Sequence, residues 1–257
     1  MYTSSWSTRG PNKSVNIGVL FSDLSVFWGI VDFLTSNPEY PTNRKAIYLP
    51  PPQTCNQATL TEAHETYSES IALFAESFLG SGQHCGRGEC WDLANEALNY
   101  FKDYDYIPKP VPSISRTHGH LIYEGRATEM GKTLEGRWRG GDNRVRRGDI
   151  AEWRKVRIGR PGGFSMLGDP DHTAIIVADM VPRVTPRDGM SLSPAELGIL
   201  TVIEQSRGQL PERRDYDCSC LEAGEMWIYR PISMEGYLGI SQLSATAPYG
   251  HAGLREL

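Results

Sequence analysis

The sequence is short of several things, and each shortage removes a class of protein. Only five of its 257 residues are cysteine (Cys55, Cys85, Cys90, Cys218 and Cys220), an odd number without the regular framework of a small disulfide-stapled domain. At least one thiol is expected free, and the chain is long enough to bury a core without cross-links. Positive charge is in deficit. The 26 Lys and Arg face 31 Asp and Glu, a formal net charge of -5, which excludes bulk attraction to nucleic acid or an anionic bilayer. No apolar run approaches the roughly 20 residues of a membrane span, and no secretory leader pattern opens the chain, so a cytoplasmic location is expected. Repeats at a solenoid period, a dinucleotide fingerprint and a Walker-type phosphate loop are all missing. An apolar fraction of 39% with 26 Gly and 17 Pro then describes a loop-rich globular chain, not a fibre or a disordered one.

Along the chain, residues 1–60 read as an N-terminal extension, 61–235 as the main domain and 236–257 as a polar tail. The first thirteen residues, polar and broken by Gly10 and Pro11, read as a frayed leader, and VNIGVLFSDLSVFWGIVDFL as a strand followed by a helix. Apolar residues at helical spacing predict one helix over 61–79, ended by Gly80 and Gly82, and a second over CWDLANEALNYF, opening at Cys90. Beyond a Pro- and Ser-rich connection, β-branched and aromatic runs at HLIYEG, GDIAEWRKVRI, HTAIIVADMV, ILTVIEQS and EMWIYRPI predict strands. Helices feeding several short strands favour an α+β fold over a doubly wound sheet.

The chemistry concentrates at Cys90. It follows a glycine-rich loop and opens a helix, where free amide N–H groups and the helix dipole can stabilise a thiolate, whereas Cys85 has no helix behind it. Gln83, in the same loop, carries a carboxamide that can donate to a developing oxyanion. His172 opens the strand HTAII, where an imidazole can accept the thiol proton and return it to a leaving amine. In VIEQS, strand alternation puts Glu204 and Ser206 on one face and Gln205 on the other, so either Glu204 or Gln205 orients His172, depending on the phase of the pleat. Gly88, Trp91, Asp171, Gln205 and Ser206 are the expected substrate contacts. Cys218 and Cys220 are too close for a CxxC pair and have no matching partners for zinc, so no metal or cofactor is expected.

The ordered set GQHCGRGECWDLANEAL, RRGDI, DHTAIIV, VIEQS and EMWIYRP resembles the cysteine-proteinase-like domain of fungal actin-patch proteins that bind myosin tails. More distantly it is similar to papain-like CHAP and NlpC/P60 amidohydrolases. The resemblance covers roughly Ser68 to Ile232. It implies a papain-like fold with the nucleophile helix packed on an antiparallel sheet, Cys90 as nucleophile, His172 as base, Glu204 as orienting acid and Gln83 on the oxyanion side. Ser206 stands where many CHAP-like proteins have asparagine.

Three function classes fit. The leading one is thiol-dependent acyl transfer on a peptide, amide or ester substrate, ending in hydrolysis, transfer or cyclisation. The second is an inactive papain-like module that binds a protein partner. The third uses RNA or aminoacyl-tRNA, suggested by the arginines between Arg137 and Arg160 with Trp138 and Trp153 nearby; a solvated face matched by surrounding acids is the plainer explanation of such a run.

Overall fold

Antiparallel strand pairing, not a helical period, organises the N-terminal region. The computed structural model describes residues 1–128, 133–248 and the backbone of 255–256. The expected leader and strand-plus-helix are replaced by an antiparallel meander of β1 (Tyr2–Arg9), β2 (Asn12–Leu20), β3 (Val26–Leu34) and β4 (Asn37–Leu49). Two local features explain the correction. Gly10 takes a φ of 60° in the turn that starts β2. Between β2 and β3 the Asp23 carboxylate accepts from the Ser25 N–H at 2.9 Å and its hydroxyl at 2.7 Å, an Asx-type turn that halts any helix at that point. The chain divides into two compact units, one of Met1–Gln53 with Met234–Leu257, the other of Thr54–Ser233. In the first unit, Trp28 Nε1 donates to the Ser244 carbonyl at 3.1 Å, so part of the segment expected as a tail packs with the meander; residues 249–254 and 257 of that tail lie outside the described residues.

The second unit is α+β. Helix α1 (Gln57–Glu76) starts four residues before the expected position because Asn56 caps it, its side chain accepting from the Thr59 N–H. Helix α2 (Cys90–Asn99) begins at the predicted cysteine. Seven antiparallel strands follow: β5 (His120–Thr128), β6 (Thr133–Trp138), β7 (Ile150–Arg160), β8 (Gly163–Ile176), β9 (Ile199–Ser206), β10 (Gln209–Asp217) and β11 (Leu221–Arg230). Their order in the sheet is β10-β9-β8-β7-β11-β5-β6. One sheet face sends Ile150, Ile175 and Ile203 into a core with Leu93, Ala97 and Ile71 of the helices. The other sends Trp153, Val156, Ile176, Val202 and Trp138 into a second core enclosed by the curling sheet.

A buried ion cluster fixes the start of β7. Arg230, with no exposed side-chain surface, donates from Nε to Asp149 Oδ1 at 2.7 Å and from Nη2 to Asp149 Oδ2 at 2.9 Å, and pairs with Asp142. Burial pushes the Asp142 carboxyl up, but hydrogen bonds from Arg146 and Arg230 outweigh it and hold it below its ordinary range. Gly148, at φ 88°, passes so close to α1 that a Cβ would lie 2.3 Å from the Ser68 carbonyl oxygen. The RRGDI motif is thus more than a turn: Asp149 is half of a buried bidentate pair.

Candidate active site

Strand pairing decides the geometry of the site. β8 and β9 are bonded only through Ile175↔Ile203 and Ile176↔Val202, then splay apart. Ile203 shares the helix-side core with Ile175, so Val202 and Glu204 must point to the opposite face, together with Ile176 and, two pleats further, His172. That resolves the phase the sequence left open. Glu204 orients His172, accepting from Nε2 at 2.9 Å, and Gln205 points the other way.

Gln205 is the staple of the loop that leads into Cys90. Its buried carboxamide accepts from the Cys85 N–H at 2.9 Å and donates to the Cys85 carbonyl at 2.9 Å and the Glu89 carbonyl at 2.8 Å. Glu89 immediately precedes Cys90, so the strand that carries Glu204 also fixes the start of α2. Asp92 tightens the same turn by accepting from the Arg87 N–H at 2.7 Å.

Across the splay, Cys90 and His172 line the same cleft close enough to interact electrostatically, and Cys90 Sγ lies 4.0 Å from the Asp171 carbonyl oxygen. Because a carboxylate can only accept, His172 Nε2 carries the proton towards Glu204, leaving Nδ1 for the thiol. Burial pushes the imidazole down, but its interaction with Cys90, the hydrogen bond it donates to Glu204 and the charges of both outweigh it, raising its pKa to about 9. Glu204 is also held by the Tyr216 hydroxyl at 2.8 Å and by Arg214 Nε at 3.2 Å. Burial and the neighbouring carboxylate raise the Tyr216 phenol, keeping it a donor. Trp153 stacks on His172 with ring centroids 5.9 Å apart and planes at 24°.

The other thiols and histidines lie elsewhere. Burial pushes Cys55 up to about 11 and Cys85 and Cys218 up to about 12, and all five cysteines are unpaired, so no Cys85 to Cys90 bridge forms. His120 accepts from the Cys55 N–H, and burial with the charge of Arg230 lowers its pKa to about 4. His118 is fully buried between Ser113 at 2.9 Å and Glu152 at 3.2 Å, a serine, histidine and acid set with no path to substrate. His84 contacts the Ser206 carbonyl at 3.2 Å, and a Cβ on Gly88 would lie 3.1 Å from its ring.

A cleft of about 560 Å³ opens onto the site, lined by Cys90, Asp171, His172, Glu204 and Ser206 among others. Of the expected contacts, Asp171 and Ser206 line it. Trp91 and Gly88 do not, and Gln205 faces the loop, so its expected substrate role gives way to a positioning one. Gln83 also stands outside: it is exposed, its N–H bonded to the Ser81 hydroxyl in a turn flanked by the left-handed Gly82. Most of the arginine run is matched by acids. Arg139 pairs with Glu124, Arg146 with Asp142, Arg147 with Glu69 and Glu76, and Arg157 with Glu222. Among the described residues no cluster of three His, Cys, Asp or Glu side chains could hold a metal ion, and no helix is long and apolar enough to cross a membrane.

A helix-borne cysteine beside a strand-borne histidine and acid is the arrangement of a cysteine-proteinase-fold domain. Residues 43–242 match the family model of the AIM3/BBC1 cysteine proteinase-fold domain, and the chain belongs to that family. A curated relative, altered inheritance of mitochondria protein 3 of Debaryomyces hansenii, is 26% identical over 196 residues, 68% of this chain and 19% of the relative. The chain thus spans about a fifth of that relative's length. No solved structure matches it.

Proposed function

We propose that this domain catalyses thiol-dependent acyl transfer on an amide or ester, within a papain-like scheme. The observation that carries the reading is that Cys90 and His172 line one cleft, with His172 hydrogen-bonded to Glu204 at 2.9 Å. In the first step the proton of the Cys90–His172 pair sits on His172, as the raised imidazole pKa favours, and the Cys90 sulfur attacks the carbonyl carbon. A C–S bond forms and the carbonyl electrons move to oxygen. The Cys90 N–H, in the first turn of α2 where no intrahelical acceptor exists, is a donor for that oxyanion. Collapse breaks the C–N or C–O bond, and the His172 proton leaves with the amine or alcohol. Water or a second amine, deprotonated by His172, then releases the acyl group from the thioester. Glu204 keeps the tautomer and stabilises the charged ring between the two steps.

The test is labelling with an acyl-type electrophile followed by peptide mapping. Cys90 is expected to react well ahead of the exposed Cys220, and His172→Ala to cut the Cys90 rate about a hundredfold, the lower end of the range for losing a general base. Equal reactivity of Cys90 and Cys220, unaffected by His172→Ala, would overturn the reading. One observation favours a binding module instead: the Glu204 carboxylate is shared with Arg214, which draws on the charge that would stabilise the imidazolium. An inert Cys90, in a protein whose partner binding survives Cys90→Ala, supports that module.

A further inference from the structure

The antiparallel meander of the first unit has two unlike faces. Side chains alternate along a strand, so the unbroken registers of β1, β2 and β3 put Leu20, Val26 and Trp28 on one face and Tyr2, Trp6, Ile17, Phe27 and Val31 on the other. Tyr48, opposite Phe27, joins the second group. The first face is closed: Leu20, Val26 and Trp28 are buried, and the Ser244 carbonyl approaches Gly18 too closely to admit a Cβ. The second face is open. Tyr2 is 74% exposed, Trp6 69%, Tyr48 55% and Val31 37%, with Ile17 and Phe27 half-buried between them. A Cβ on Gly29 would lie 2.9 Å from the Phe27 ring, so that ring lies along the sheet and keeps the face level.

The extent of this face decides what can cover it. A buried aromatic side chain covers about 150–250 Å². The exposed fractions of Tyr2, Trp6 and Tyr48 alone then leave roughly 300–500 Å² of open ring surface, the size at which an apolar patch marks an interaction. Two such faces together supply roughly 600–1,000 Å² from these rings, and Val31 with the half-buried residues brings the total towards the about 1,200 Å² of a stable interface. Other occupants fit less well. An anionic membrane surface selects clusters of about 4–8 basic residues. This face carries Lys13 and Arg44, and Lys13 Nζ is held 4.8 Å from the Trp6 ring centroid. Three strand spacings of about 4.8 Å make the face about 14 Å wide between β1 and β4, wider than the about 10–12 Å of a single helix. A second sheet of the same width and twist matches it, because sheets of like twist pack aligned at about 30°.

We infer that two copies of this chain pair through this face, sheet on sheet, with Trp6 and Val31 of each buried against the other copy. Strands β1, β2 and β3 precede residues 43–242, the span that matches the family model, and the pairing stands independently of the acyl-transfer reading.

Sedimentation velocity of the full chain over a micromolar concentration series reads the pairing. The parent is expected to pass from monomer to dimer as concentration rises. Trp6→Lys and Val31→Lys are each expected to raise the dimer dissociation constant about thirtyfold or more, the range for losing a central interface residue, with circular dichroism unchanged. Two controls are expected to leave it unaltered: Arg9→Glu, on the opposite face of β1, and Tyr106→Lys, 79% exposed in the second unit. A parent that stays monomeric throughout overturns the inference, as does a dimer that survives both lysine variants or is lost equally in the two controls. One readout needs no disruptive change. The emission of Trp6, taken as the parent spectrum less that of Trp6→Phe, is expected to move to shorter wavelength as the dimer forms, and a dimer whose Trp6 still emits as an exposed indole overturns the pairing through this face. Binding of a monomeric parent to phosphatidylserine vesicles, lost in Trp6→Ser, overturns it in favour of a lipid surface.

Discussion

Replacing Glu204 by Gln removes a charge while keeping an acceptor for His172, so it isolates the electrostatic part of the histidine's environment. In the parent, the step from the ordinary 6.5 to about 9 is roughly 3 kcal/mol of preference for the charged ring. Burial opposes that preference, so Cys90 and Glu204 together must supply more than the net. The sign follows from the direction of the shift. A raised imidazole stabilises the fold fully below pH 6.5 and loses that contribution as pH climbs to about 9. Titrating His172 by NMR should give a midpoint near 9 in the parent. In Glu204→Gln the midpoint should fall by about one pH unit or more, and with Cys90→Ala added it should drop below 6.5, where burial alone drives it. Chemical unfolding at pH 6 and pH 10 gives the same quantity independently: the parent should lose more stability across that interval than the double variant, by up to about 3 kcal/mol. A parent midpoint at 6.5, or one near 9 that neither variant moves, would refute the coupling of His172 to its two neighbours.

Gln205→Leu should cost about 1–3 kcal/mol in urea unfolding, because it leaves the Cys85 and Glu89 backbone groups without their partner. It should also slow Cys90 labelling, and Gln205→Glu, which retains the acceptor for Cys85 N–H but not the donors, should recover less than half of the lost stability. Arg230→Ala strands Asp149 and Asp142 as buried charges and should destabilise by about 3–5 kcal/mol, with the loss reduced at low pH as the Asp142 carboxyl, released from Arg230, protonates. Gly148→Ala combines a φ of 88° with a clash against the Ser68 carbonyl and should lower the melting temperature by several degrees, whereas Gly162→Ala, also at positive φ but with open space around it, should cost far less.

The helix opening at Cys90 was legible because its apolar positions repeat at 3.6 residues behind a glycine loop, and His172 and Glu204 because β-branched runs flank them. What could not be read was relational. The pleat phase of β9 depends on which core Ile203 joins, and that follows from the β8 register, which no local pattern contains. The first half of β8, Gly163–Asp171, has glycine, proline and two aspartates and so lacks a strand signature; it is a strand because β7 supplies its ladder. The N-terminal meander was missed for the reverse reason. β1 is exposed along nearly its whole length, so its sequence alternates without an apolar face and imitates a loose leader. Gln83 was favoured by its place before the nucleophile, but a left-handed turn at Gly82 carries it out to solvent.

The neighbouring residues Glu204 and Gln205 show how one strand can position two parts of the candidate site. Consecutive side chains on a strand leave by opposite faces, so the acid reaches His172 on the sheet's inner side while the amide reaches Cys85 and Glu89 on the helix side. The imidazole and the thiol are therefore referenced to the same backbone, which limits their relative movement to the stiffness of β9 and of two short hydrogen-bonded links. A loop-borne nucleophile would have to be ordered on each encounter with substrate, at a cost of about 1–2 kcal/mol for each residue fixed. Here that ordering is done on folding. The two functions are also inseparable, because a one-residue slip of β9 would turn the carboxylate towards Glu89 and the amide towards His172, breaking the nucleophile loop and the base together.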